Sequence, residues 1–216
     1  DGAVTAAFSV GTDVAGNTVV AAPTSGATFT VDNTPPTLVI TLSDVALKIG
    51  DTSTVTFTWS EAVTGFDNAD VTLIENATLG VISGGPIIYT ATLTPNAPIE
   101  DATNILRVTK TGVLDIALNA GVGTQDSPNY AIDTEAPSVV SITTKDANTD
   151  GTVDTATIVF DEAMKDSSFG AASFSIGGTA ATIFASGTAD DATVDVSHAG
   201  IAGTNVKDVL YTPGLV

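Results

Sequence analysis

The stretch FTVDNTPPT at residues 29–37 returns as YAIDTEAPS at residues 130–138, and this pair organises the whole chain. Asp32 and Asp133 are 101 residues apart, as are Pro36 and Pro137. The same offset, within one residue, relates DVAGN at 13–17 to DIALN at 115–119, and FTWSEAV at 57–63 to IVFDEAM at 158–164. Three separate anchors with one offset indicate an internal repeat of about 100 residues.

Within one repeat, short segments alternate apolar with polar residues. In residues 54–59, threonines alternate with Val55, Phe57 and Trp59, a period of two that predicts a strand with one buried face. Further strands are predicted at 37–43, 71–75, 78–82, 87–93, 104–109 and 128–133. About seven short strands separated by turn residues predict an immunoglobulin-like (Ig-like) β-sandwich. A closed barrel is the alternative, and prolines between the repeats favour separate domains over it.

The fold class is therefore all-β, with tandem Ig-like β-sandwich domains of about seven strands each and incomplete end domains. Residues 1–33 are predicted to be the C-terminal part of one domain, 34–134 a complete domain, and 135–216 a domain that lacks its last strand or strands. Because the chain opens in the middle of the pattern, we expect it to be an excerpt of a longer protein.

The composition of the chain restricts the range of possible functions. The chain has 216 residues, a net charge of −19 and 43% hydrophobic residues, enough for packed cores. Its negative charge disfavours nucleic acid and anionic lipid as partners. It contains 0 cysteines, which excludes disulfides and thiolate metal sites. No apolar run reaches the roughly 20 residues of a membrane helix, so no membrane insertion of this segment is expected.

These motifs resemble the bacterial Ig-like repeats of large surface adhesins and S-layer proteins. The resemblance is carried by the D-x-A-x-N loop, the V-D-x-T-x-P linker and the strand end that reads aromatic-Ser/Asp-Glu-Ala, and it spans nearly the whole chain. It implies a secreted, cell-surface protein with repeats arranged end to end, and often calcium at the linkers. Because such modules serve as stalks, spacers and binding domains, it does not select one function.

The sharpest local motif is DANTDGTVD at residues 146–154. Its alternating oxygen-bearing side chains followed by Gly151 match the first nine positions of an EF-hand-type calcium loop. The predicted ligands are Asp146, Asn148, Asp150, Thr152 through its carbonyl, and Asp154. The twelfth position is Thr157, where a bidentate Glu is usual, so an Asx-rich turn without metal is the alternative.

A second calcium site follows from the direction of the strands. In a seven-strand sandwich, the end of the second strand and the loop between the sixth and seventh strands both lie at the linker. Carboxylates there would repel one another unless a cation joined them. The predicted ligands are Asp32, Glu61, Asp115 and Asn119, with Asp133 and Glu162 as the repeated pair. The alternative is that Asp115 only caps its own turn.

The sequence favours a non-enzymatic protein. The only histidine, His198, lies in a predicted strand beside Ser197, and neighbours on a strand point to opposite faces. No phosphate loop or G-x-S-x-G motif occurs.

We therefore predict a calcium-stabilised structural segment of a surface stalk, S-layer or extracellular filament. Its expected partners are neighbouring repeats or copies of itself, and no nucleic acid. Two alternatives remain. One is an adhesive module for a glycan or host protein, and the other is a filament subunit completed by strand donation between incomplete end domains.

Overall fold

The computed structural model describes residues 1–5, 11–18, 28–146, 149, 152–169, 174–176, 179–180, 183–185, 188–202 and 209–211. The chain divides into two compact units, Asp1–Glu135 and Ala136–Val216, which are considered separately. Among the described residues, no helix is long and apolar enough to span a membrane.

The described residues form β-strands joined by turns and by two short 3-10 helices. In the first unit the strands are β1 (Gly2–Thr5), β2 (Thr28–Val31), β3 (Leu38–Leu42), β4 (Ala46–Lys48), β5 (Ser53–Trp59), β6 (Val63–Thr64), β7 (Val71–Ile74), β8 (Ala77–Leu79), β9 (Ser83–Gly84), β10 (Ile88–Pro95), β11 (Glu100–Asn104), β12 (Leu106–Thr109), β13 (Leu114–Asp115), β14 (Thr124–Asp126) and β15 (Tyr130–Asp133). In the second unit they are β16 (Val139–Lys145), β17 (Thr152–Phe160), β18 (Phe174–Ile176), β19 (Thr179–Ala180), β20 (Ile183–Ala185), β21 (Thr193–Ala202) and β22 (Val209–Tyr211). The 3-10 helices are Asn68–Asp70 and Asp166–Ser168.

The central domain has two layers, in which the strands pair antiparallel except for β4 with β15. One has the strand order β3-β5-β10-β8, with β9 beside β10. The other is formed by β4-β15-β11 and by β14-β12-β7. These two sets are continuous along the chain because only Ile105 separates β11 from β12. The strands β3 to β15 are mostly short and interrupted, and their arrangement in two packed layers confirms the predicted Ig-like sandwich.

Strand β5 shows how the sequence pattern forms the core. Its odd-numbered residues Ser53, Val55, Phe57 and Trp59 are all at most 2% exposed, whereas its threonines face outward or lie at intermediate depth. Phe66 packs edge-on against both Phe57 and Trp59, with ring centroids 5.1 and 5.3 Å apart. The alternation of apolar and polar residues therefore brings one face of β5 into an aromatic cluster at the centre of the sandwich.

A buried polar cluster stabilises the second layer at the interruption between β11 and β12. Asn104 is 0% exposed; its amide donates to the carbonyls of Asp101 (2.9 Å) and Tyr130 (3.1 Å) and accepts from Asn76 (2.7 Å). The Glu75 carboxylate accepts from the Ile105 N–H at 2.7 Å, beside the hydroxyl that Tyr130 donates to the Glu75 carbonyl. Burial raises the pKa of the Tyr130 phenol to about 12, so this hydroxyl stays protonated.

The second unit repeats the arrangement with one sheet ordered β16-β17-β21-β20 and another ordered β19-β18-β22. Its described core is apolar and includes Ala156, Ile158, Phe160, Phe174 and Val196. Phe169 joins this core through tilted ring contacts with Phe160 and Phe174.

Two features of the central domain were not predicted from the sequence. Strand β4 pairs in parallel with β15, with Lys48 opposite Asp133, in a segment where no strand was predicted. The predicted strand 104–109 begins earlier, at Glu100, and is broken at Ile105. Both differences arise from pairing with strands distant in sequence, which local alternation does not report.

Candidate metal centre

The residue that follows the linker proline is hydrogen-bonded to the residue that follows the adjacent, paired strand, and this contact recurs in both repeats. In the first unit the Ser60 hydroxyl accepts from the Thr37 N–H at 2.9 Å. In the second unit the Asp161 carboxylate accepts from the Ser138 N–H at 2.7 Å and from its hydroxyl. These bonds lower the pKa of Asp161. Ser60 and Asp161, which directly precede Glu61 and Glu162, thus position the end of the strand. This role was not predicted from the sequence, although the two residues are aligned in the repeat.

The D-x-A-x-N loop has the same hydrogen bonds in both of its copies. In residues 115–119, the carboxylate of Asp115 accepts from the backbone N–H and from the side-chain amide of Asn119, both at 2.8 Å. In residues 13–17, Asp13 accepts the same two bonds from Asn17 at 2.8 and 2.7 Å. The aspartate therefore does cap its own turn, and that turn holds the carboxylate in a defined orientation.

The structure brings three of the predicted ligands together at the linker. One carboxylate oxygen from each of Asp32, Glu61 and Asp115 lies within 4.8 Å of the others. Asp115 is 1% exposed, and Asp32 and Glu61 are half-buried. The Asn119 amide also donates to the Asp32 carbonyl at 3.0 Å, so the loop is tied directly to the linker. Asn119 thus acts here through its amide nitrogen, as a residue that positions Asp115 and the linker.

The electrostatics of this cluster favour a cation. The pKa of Glu61 is raised above its ordinary value of 4.5, chiefly because burial removes water and then because Asp115 and Asp32 are negatively charged. The ion pairs Lys48–Asp51 and Arg107–Asp126 involve other carboxylates. Converging oxygen ligands without nitrogen or sulfur suit a hard divalent ion such as Ca²⁺, with water completing its shell of six to eight oxygens.

The other predicted ligands are not assembled in the described residues. Asn148 and Asp150 lie outside them. Asp146 follows β16, Thr152 opens β17, and Asp154 lies where the pairing of β17 with β21 shifts register. Asp133 ends β15 in the first unit and Glu162 follows β17 in the second. Calcium binding by these residues stays a prediction.

The raised pKa of Glu61 predicts the direction in which the stability of the first unit changes with pH. When calcium is chelated, we expect the free energy of unfolding to fall as the pH rises from 4.5 through the raised pKa of Glu61, because the native state holds that proton more tightly than the unfolded chain. Unfolding of the first unit can be followed by the fluorescence of Trp59, since the chain has 1 tryptophan.

Glu61→Gln should remove this part of the pH dependence, whereas Glu100→Gln, at an exposed position, should retain it. Equal pH profiles for Glu61→Gln and the unmodified chain would show that the cluster does not hold the proton.

The fold and the linker geometry together define an all-β chain of Ig-like sandwich domains joined end to end in sequence. Residues 32–132, the complete central domain, match the family described as bacterial Ig-like domain. A solved structure of FdeC, an Escherichia coli adhesin described as broadly conserved and as eliciting protection against urinary tract infections, is similar with a TM-score of 0.38 and 15% identity, over 88% of this chain and 69% of that one. The search of curated proteins found no match.

Proposed function

We propose that this chain is a non-enzymatic, structural segment of a secreted bacterial surface protein, and that calcium stiffens the junction between its Ig-like repeats. The observation that carries the proposal is the convergence of Asp32, Glu61 and Asp115 within 4.8 Å at the linker. Each of the three comes from a different part of the domain, so a bound ion would join the linker to the end of β5 and to the loop after β13.

A mechanical role follows from these positions. Asp32 lies in the segment that connects two repeats, three residues before Pro35. Without a cation, the acidic junction repels itself and bends, because like charges at close range oppose compact packing. With calcium bound, the same carboxylates become a crosslink that restricts the angle between repeats. A stalk built of such repeats would hold its outermost part away from the cell.

Isothermal titration calorimetry with CaCl₂ tests this proposal. We expect the unmodified chain to bind calcium, and Glu61→Gln and Asp115→Asn to lose one site. Glu100→Gln removes an exposed acid elsewhere and should keep it. A variant that combines Asp146→Ala with Asp150→Ala should lose the separate site predicted for residues 146–154. If Glu61→Gln and Asp115→Asn bind as the unmodified chain does, the linker site is wrong, and adhesive binding or strand donation becomes the better explanation of the fold.

A further inference from the structure

The tip of the D-x-A-x-N loop carries large apolar side chains that its own domain does not cover. Ile116 is 79% exposed and Leu118 is 73% exposed, on a loop whose base is tied to the linker through Asn119. In the earlier copy of the loop, Val14 occupies the position of Ile116 and is fully exposed. A branched apolar side chain thus projects from the same place in both repeats, although burying it would be favourable.

Leu118 is also held in an unfavourable backbone conformation. Its φ is +71°, in the left-handed region, which a bulky residue without a compensating contact rarely adopts. The equivalent position in the earlier loop is Gly16, with φ of +90°, and glycine adopts this region without strain. The turn therefore demands a left-handed residue, and in the complete domain that residue is a leucine whose side chain faces solvent. Strain combined with an exposed apolar group is characteristic of a binding surface.

The opposite end of the same domain offers a complementary surface. A depression of about 190 Å³ lies beside β4 and the end of β15, lined by Ala46, Leu47, Lys48, Asp51, Ala131 and Asp133. It is smaller than the roughly 300–1,000 Å³ of small-molecule sites, and it fits a single aliphatic side chain. At its rim, Lys48 forms an ion pair with Asp51 at 3.1 Å, so this lysine leaves no uncompensated positive charge beside the apolar lining of Ala46, Leu47 and Ala131.

We propose that the apolar loop tip formed by Ile116 and Leu118 docks into this depression on another Ig-like repeat of the same kind. The occupant is another repeat because the apolar tip recurs once per repeat, as a contact between repeats requires, and because its loop adjoins the linker. The contact joins different surfaces of two equal domains, so it propagates in one direction and extends a row of repeats. It is small and weak alone, and a tandem array would strengthen it by raising the local concentration. It does not depend on calcium.

Disulfide trapping between two copies of the full chain tests the docking, because the chain has 0 cysteines of its own. An Ile116→Cys chain is mixed with an Ala46→Cys chain under mild oxidation, and the crosslinked heterodimer is quantified on non-reducing gels, with calcium and with chelator. Ile88→Cys replaces Ile116→Cys in the matched control, since Ile88 is also apolar and 54% exposed but lies on a sheet face. We expect several-fold more heterodimer with Ile116→Cys than with Ile88→Cys, because a disulfide requires close approach of the two Cβ atoms.

The Leu118→Gly variant distinguishes an effect on docking from an effect on folding. Introduced into the Ile116→Cys chain, it relieves the left-handed strain, so we expect an unchanged or higher melting temperature together with a loss of the heterodimer. Heterodimer yields equal to those of the Ile88→Cys control would overturn the proposal. So would an unchanged yield in the Leu118→Gly variant, which would show that the leucine is merely tolerated in its turn. Neither result would bear on calcium binding, which the calorimetric titration measures by itself.

Discussion

Replacing Asn104 with alanine is expected to lower the free energy of unfolding of the first unit by about 3 kcal/mol or more, the largest effect of any single change considered for this chain. Asn104 is 0% exposed and lies at the residue before the interruption between β11 and β12. Its amide group satisfies the Asp101 and Tyr130 carbonyls and the Asn76 amide. Alanine would leave the Asp101 and Tyr130 carbonyls without that partner, whereas the Asn76 amide keeps its hydrogen bond to the Asp101 carboxylate at 3.0 Å. Each buried, unsatisfied group costs about 1–3 kcal/mol.

Chemical denaturation followed by Trp59 fluorescence measures this loss. Asn68→Ala is the matched control, because the Asn68 side chain also makes two hydrogen bonds to backbone, with the Gly80 carbonyl and the Ile82 N–H, but is exposed to solvent. Water can replace those two partners, so a loss of only about 1 kcal/mol is expected. Losses of similar size in the two variants would contradict the role of Asn104 as the centre of a buried network.

Glu61→Gln is expected to change stability in opposite directions with and without calcium. With chelator, the variant should melt at a higher temperature than the unmodified chain, because it removes a carboxylate that is repelled by Asp115 and Asp32. With calcium at 100 times its dissociation constant, the unmodified chain should gain about 2.7 kcal/mol from binding to the native state, and the variant should lose most of that gain. The order of the two melting temperatures should therefore reverse.

Thermal unfolding of both chains, each in calcium and in chelator, gives the four melting temperatures that this comparison needs. Glu100→Gln is again the control, and it should follow the unmodified chain in both conditions. A Glu61→Gln chain that is less stable in both conditions would mean that Glu61 has a structural partner and does not serve as a ligand. Magnesium in place of calcium tests selectivity, since Mg²⁺ demands a stricter geometry and gives up its water less readily.

Much of the fold and part of the candidate site followed from the sequence alone. The alternation of threonines with Val55, Phe57 and Trp59 identified the buried face of β5, because successive residues on a strand point to opposite sides. The recurrence of the linker motif at an offset of 101 residues identified the repeat. Counting strands from the linker placed Glu61 and Asp115 at the same end as Asp32, because each strand reverses the direction of the chain. Whether a cation joins them stays a prediction.

By itself, then, the sequence determined the class of fold, the repeat and the end of the domain where the acidic residues gather, since periodicity and strand direction are properties of the chain as written. Tertiary structure alone decided the pairing of β4 with β15, the network around Asn104, the contact of Ser60 with Thr37 and the strain of Leu118. Each depends on which distant residue lies opposite, or on how much of a side chain the folded domain covers. Neither quantity exists until the two layers have packed together.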